Sequence, residues 1–129
     1  MNLPTEGIYV ILEDDMRRMI FFNTIFEQNN IDFIHFETAP ECVKYIEDNK
    51  DTISFFFLDH DLGGLIMVDS KELNTGYTVA KAIHRIYGDN HPPAVIHSLN
   101  PAGARNMHKE LPNSIEIPFI YLQAQMRGI

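Results

Sequence analysis

The run Phe55-Phe56-Phe57-Leu58-Asp59-His60-Asp61-Leu62-Gly63-Gly64 constrains the fold more than any other stretch of the chain. Four consecutive bulky apolar residues specify a strand buried on both faces, and the chain then passes at once into two carboxylates, an imidazole and a glycine pair. Open α/β sheets carry their ligand sites at the carboxyl ends of the strands, so acids delivered there mark a candidate site. The first apolar run repeats the pattern, with Ile8-Tyr9-Val10-Ile11-Leu12 leading into Glu13-Asp14-Asp15. Two acidic clusters at strand ends invite a divalent cation.

The rest of the chain alternates strand and helix. Strands are expected at Ile8 to Glu13, Ile31 to Phe36, Ile53 to Leu58, Ala94 to His97 and Ser114 to Ile117. Helix one is expected over Met16 to Gln28, with Met16, Met19, Ile20, Asn23 and Phe26 near one inward stripe. Helix two follows Thr38, with Pro40 in its first turn and Val43 and Ile46 inward. Helices also fit Tyr77 to Tyr87, Asn100-Pro101 to Leu111, and Phe119 to Met126. Five strands alternating with helices predict an α/β domain with a parallel sheet covered on both faces.

At 129 residues the chain fits one domain, residues 1–129, with room for a self-sufficient core and too little for two. No run approaches the ~18 apolar residues that span a bilayer. Met1 to Glu6 lacks the features of a signal peptide, so the expectation is a cytoplasmic protein without membrane contact. The formal charge of -8 and the scattering of ten basic residues exclude nonspecific binding to a nucleic-acid backbone, which needs clustered cations. Cys42 is the single cysteine, which excludes an internal disulfide, and it falls where a helix packs.

The order and spacing resemble a response-regulator receiver domain. Asp14-Asp15 match that family's acidic pair, Asp59 its phosphate-accepting aspartate, and Ser98 its hydroxyl residue. The resemblance implies a doubly wound, flavodoxin-like, five-stranded parallel sheet of strand order 2-1-3-4-5. One element departs: Ile117-Pro118-Phe119 keeps the family's proline and aromatic but has isoleucine where its lysine belongs, and an aliphatic side chain cannot neutralise a phosphoryl group. The runs Asp59 to Gly64 and His97 to Ala104 are similar to a divergent group, the cyclic-phosphate-processing receiver domains. That likeness implies phosphoester or cyclic-phosphate chemistry at the old phosphorylation pocket.

The residues themselves allow such chemistry. Mg2+ or Mn2+ takes oxygen ligands, and Asp14, Asp15 and Asp59 offer three carboxylates. In an extended backbone Asp59 and Asp61 project to one side and His60 to the other. His60 is either a general acid or base or a loop residue that fixes the backbone, and His97 is either a second proton carrier or a hydrogen-bonded core histidine. Ser98, Asn100 and the helix start around Gly103 offer donors to a phosphate, with Arg105 as a nearby cation. Asn100 also serves as the helix cap. The loop Leu65 to Thr75 fits a lid, a short hairpin or a dimer contact, and Lys71 on it is another counter-charge. The partner expected is a phosphate-containing small molecule or nucleotide. The alternatives are a stand-alone signalling module with a protein partner or as a homodimer, and a protein that sequesters nucleotides without turnover.

Overall fold

A computed structural model describes residues 2–128. Five strands, β1 (Ile8–Leu12), β2 (Phe33–Phe36), β3 (Ile53–Leu58), β4 (Ala94–Ile96) and β5 (Ser114–Glu116), form one sheet in the order β2-β1-β3-β4-β5. Every neighbouring pair is parallel. The connecting helices are α1 (Met16–Gln28), α2 (Ala39–Asn49), α3 (Gly76–Tyr87), α4 (Pro101–Glu110) and α5 (Phe119–Met126), with a single 3-10 turn at Gly88–Asn90.

Alternation along each strand splits the core into two layers. Val10, Leu12, Phe56, Leu58 and Ile96 face α2, α3 and α4, where Cys42, Ile46, Val79, Ile83 and Met107 close the layer. Tyr9, Ile11, Phe55, Phe57 and Val95 face α1 and α5, meeting Met19, Phe22, Phe26, Leu122 and Met126. The inward stripe of α1 is thus Met19, Phe22, Ile25 and Phe26, while Met16 and Ile20, both expected inside, are exposed. Apolar residues lie almost all round this helix, so periodicity leaves its phase open. Asp15 settles the entry by capping, its Oδ1 accepting the N–H groups of Arg17 (2.8 Å) and Arg18 (3.3 Å).

The second strand starts two residues later than expected. Asn30 adopts a positive φ of 55°, and the Ile31 N–H turns back to the Phe26 carbonyl at 2.9 Å, so Ile31 closes α1 before β2 begins. Beyond the assigned ends of β4 and β5 the pairing continues: the His97 N–H reaches the Leu58 carbonyl (3.0 Å) and the Ile117 N–H reaches that of Ile96 (2.9 Å). Among the described residues, no helix is long and apolar enough to cross a membrane.

Candidate active site at the carboxyl edge of the sheet

Strand register builds the site. Leu12 pairs with Leu58 and Leu58 with Ile96, so the next residues of the three central strands, Glu13, Asp59 and His97, come side by side on the face toward α1 and α5. All three are buried, and each offers a ligand atom within 4.8 Å of the others. Glu13 Oε1 lies 2.9 Å from His97 Nε2, and Glu13 Oε2 accepts the N–H groups of Asp14 and Asp15 at 3.0 Å each. Burial works against ionisation of Glu13. The His97 bond and charge, the Asp15 N–H and Arg18 outweigh it and hold the carboxyl below its ordinary range. Burial pushes Asp59 the other way, to about 7, opposed by His97 and reinforced by the neighbouring charge of Glu13.

The acids that converge on the cluster therefore differ from the expected trio. Asp59 is in it. Asp15 caps α1 through its Oδ1 and lines the cavity above, and Asp14 accepts the Gly64 N–H (2.6 Å) at the cavity wall. Glu13 takes the inner place, and the signal for it was the rule that the first residue after one central strand sits beside the first residue after the next. The positive charge that Ile117 lacks comes from Arg18, also unanticipated. Its Nη1 lies 3.4 Å from both Glu13 Oε1 and Asp59 Oδ2, and its guanidinium lies over the Phe119 ring, 5.4 Å from the centroid. Ile117 itself is buried in the α1–α5 layer.

A cavity of about 450 Å³ opens above this cluster, lined by Asp14, Arg18, Asp59, Asp61 and Ser98 among others. Ser98 Oγ accepts the Asn100 N–H at 3.0 Å, which leaves its own hydroxyl hydrogen for a ligand. Burial raises the Asp14 carboxyl above its ordinary range, with Glu13 and Asp15 adding to the effect and the Gly64 N–H opposing it. Leu65, Ile66 and Met67 give the mouth an exposed apolar wall.

Of the other expected site residues, Asp61 lines the cavity, while His60, Asn100, Gly103 and Arg105 do not. His60 points away from Asp59, as alternation requires, and is fully buried against α4. The backbone then leaves the extended form, and Asp61 turns back to place Oδ1 2.8 Å from His60 Nδ1. Asp61 also accepts the N–H groups of Met67 (2.6 Å) and Val68 (3.2 Å) and the Asn100 amide (2.9 Å). These bonds overcome its burial and keep its carboxyl below the ordinary range. At the start of α4 the cap takes the Gly103 N–H, which donates to Asn100 Oδ1 (3.0 Å). Arg105 is exposed and does not line the cavity.

Gly103 instead leaves room for His60. A Cβ there would stand 2.5 Å from the imidazole, a rigid and buried ring. Gly103→Ala is expected to lower stability by about 1–3 kcal/mol, the range of core overpacking, despite the better helix propensity of alanine. Thermal denaturation measures it, and a melting temperature at or above wild type would place His60 elsewhere.

The loop after Asp61 is tied across the sheet edge. Asp61 and Thr75 form an antiparallel bridge, Asn100 Nδ2 donates to the Val68 carbonyl (3.1 Å), and Asn74 Oδ1 accepts the Ala39 N–H (2.9 Å).

A model of the family described as the cyclic-phosphate processing receiver domain matches residues 9–113. The chain belongs to that family. No curated protein matches it in sequence. Among solved structures, the phosphorylated cyanobacterial phytochrome response regulator RcpA is similar with a TM-score of 0.72 at 14% identity, over 95% of this chain and 90% of the other. A response regulator receiver domain from Rhodospirillum rubrum gives 0.64 at 16% identity, over 94% and 89%. The receiver domain of Saccharomyces cerevisiae Ssk1, solved with the phosphotransfer protein Ypd1, gives 0.67 at 15% identity, over 99% and 89%. These likenesses establish the receiver fold.

Proposed function

We propose that the chain processes a phosphoester, a cyclic phosphate or cyclic nucleotide, in the Asp59 cavity with Mg2+ or Mn2+ as cofactor. The observation that carries this reading is the meeting in one cavity of the Asp59 carboxylate, the Arg18 guanidinium and the Ser98 hydroxyl, with the Glu13 carboxylate buried against Asp59 beneath them. The donor set fits a cation: Glu13 and Asp59 are buried side by side, and burial first, with the Glu13 charge adding to it, pushes Asp59 up to about 7, a cost of ionisation that a divalent ion offsets. Asp14 on the cavity wall completes an oxygen-rich shell. A bound cation supplies Lewis-acid neutralisation of the phosphoryl oxygens.

The chain's own groups do the rest. Arg18 and the Ser98 hydroxyl hold phosphoryl oxygens and stabilise the charge that grows on them. Asp14, whose carboxyl burial raises above its ordinary range and so makes a stronger base, takes the proton of the attacking water. Opening the ring forms one P–O bond to that water and breaks one to the sugar oxygen, which takes a proton from solvent water at the open mouth of the cavity. His97, fixed on Glu13, orients that carboxylate and is a positioning residue.

Incubation with 2′,3′-cyclic nucleotides, 3′,5′-cyclic nucleotides and cyclic oligonucleotides in Mg2+ or Mn2+ tests the reading. Turnover is expected, lost in Asp59→Ala and reduced about 100-fold in Arg18→Met, the cost of removing one charge-stabilising donor. Tight binding with every compound returned intact would make the protein a sequestering one. A second reading, acceptance of a phosphoryl group on Asp59 in a signalling module that docks a protein partner, draws on Asp59 and Ser98 sharing the cavity. The apolar Ile117 argues against it, and acetyl phosphate labelling of Asp59 distinguishes the two.

A further inference from the structure

Beside the Asp59 cavity, three side chains form a chain of contacts that the phosphoester chemistry does not use. Ser70 Oγ lies 2.9 Å from His60 Nε2, and His60 Nδ1 lies 2.8 Å from Asp61 Oδ1. An ionised carboxylate only accepts, so Nδ1 carries the ring hydrogen and Nε2 is left as the acceptor. Ser70 must then donate its hydroxyl proton to that nitrogen. Asp61 is held in place for this by Met67, Val68 and Asn100, and His60 is gripped against Gly103 with its ring fully buried. The base has one tautomer and one orientation.

We propose that Ser70, His60 and Asp61 make a second reactive centre, in which Ser70 is an activated nucleophile that takes up an acyl group from an ester or thioester donor. Nucleophile, base and orienting carboxylate stand within hydrogen-bond reach in that order, which is the arrangement that activates a serine on unrelated folds. Two further observations bear on the same centre. The Asn106 amide donates to Ser70 Oγ at 3.0 Å, which fixes the hydroxyl so that its own hydrogen faces His60 Nε2. Ser70 also lines its own cleft of about 370 Å³, together with Asp69, Tyr77, Asn106 and the exposed Lys71 and Lys81, a lining with one more positive than negative side chain. Lys81 Nζ stands 5.0 Å from the centre of the Tyr77 ring. Two ammonium groups suit a donor whose leaving group is anionic.

In the transfer, Ser70 Oγ bonds to the carbonyl carbon and the bond from that carbon to the leaving oxygen or sulfur breaks. The hydroxyl proton passes to His60 Nε2 and from there to the leaving group. Water then attacks the Ser70 ester by the same route, with the carboxylic acid released and the serine restored. No metal or oxidant takes part. Asp61 links the two centres, lining the Asp59 cavity while its Oδ1 holds His60 Nδ1.

The same contacts could serve merely to pin the loop to α4, so the test reads reactivity. The full chain is treated in EDTA with a fluorophosphonate, where Ser70 Oγ displaces fluoride from phosphorus, and the modified residue is mapped by mass spectrometry. One equivalent on Ser70 is expected, with a burst of about one equivalent of nitrophenol from p-nitrophenyl acetate. Ser70→Ala should lose both, and Asn106→Ala, which frees the Ser70 hydroxyl to rotate away from His60, should slow labelling. Ser70 and Asn106 lie at the loop and helix surface, so both variants should melt within a few degrees of wild type. An unlabelled Ser70, labelling no faster than in the heat-unfolded chain, or a wild-type rate in Asn106→Ala would each overturn the proposal and leave Ser70 as a loop anchor.

Discussion

Asp59→Asn should melt at a higher temperature than the wild type at pH 8 without metal, and should lose both stabilisation by Mg2+ or Mn2+ and turnover. Asp59 is buried beside Glu13 and its folded pKa is raised to about 7, against about 3.9 in an unfolded chain. Between those values the folded state keeps a proton that the unfolded state has lost, so stability falls as pH rises through the window. About three pH units at about 1.4 kcal/mol each set a ceiling near 4 kcal/mol by pH 8. Asparagine never ionises and escapes that cost, so its advantage should shrink as pH falls toward 4. Glu13 runs the other way: its lowered pKa gives stability above its unfolded value that is lost only as pH falls through the folded one. The two windows separate in a pH titration of melting temperature. Metal at a hundred times its Kd should add about 2.7 kcal/mol to the wild type and nothing comparable to the variant. A variant that melts below the wild type at pH 8 would mean that burial beside Glu13 does not disfavour the ionised Asp59 in the fold.

That pair also shows what the sequence could and could not disclose. The strands and helices are legible because apolar runs and caps are local, and Asp59 is legible because it ends the most buried run. Glu13 is just as close to its strand, yet reading the strand as Ile8 to Glu13 counts it as the last strand residue and moves the acidic pair to Asp14-Asp15. Only the register Leu12↔Leu58↔Ile96, a property of three segments far apart in the chain, sets Glu13, Asp59 and His97 abreast. Arg18 is hidden for a related reason. With apolar residues on most sides of α1, the phase that turns Arg18 toward Asp59 follows from the Asp15 cap and from packing on the sheet. Gly103 is legible as a small residue at a helix start, but its reason, the His60 ring, comes from another strand end.

Gly76→Ala should be the most damaging small substitution in the molecule. By local propensity alone alanine near a helix start gains up to about 1 kcal/mol over glycine, and the Gly76 φ is not one that penalises a side chain. Packing points the opposite way. A Cβ at residue 76 would stand 1.9 Å from the Asp59 carbonyl oxygen and 2.9 Å from its carbonyl carbon, with Met107 Cε at 2.8 Å. The methionine tip can swing aside, but the Asp59 backbone cannot, because its N–H is bonded to the Leu12 carbonyl at 3.0 Å within the sheet. Helix α3 must therefore retreat. That breaks the 2.9 Å bond from the Gly76 N–H to the His60 carbonyl and loosens Val79, Ala80 and Ile83 in the core. Losses of that kind exceed about 4 kcal/mol, against a total stability on the order of 5–15 kcal/mol. Circular dichroism should find the variant unfolded or melting at least about 15 °C lower. Equal stability would mean that α3 does not press on the end of β3, and the close approach that fixes the backbone between Asp59 and His60 would then be absent from the molecule.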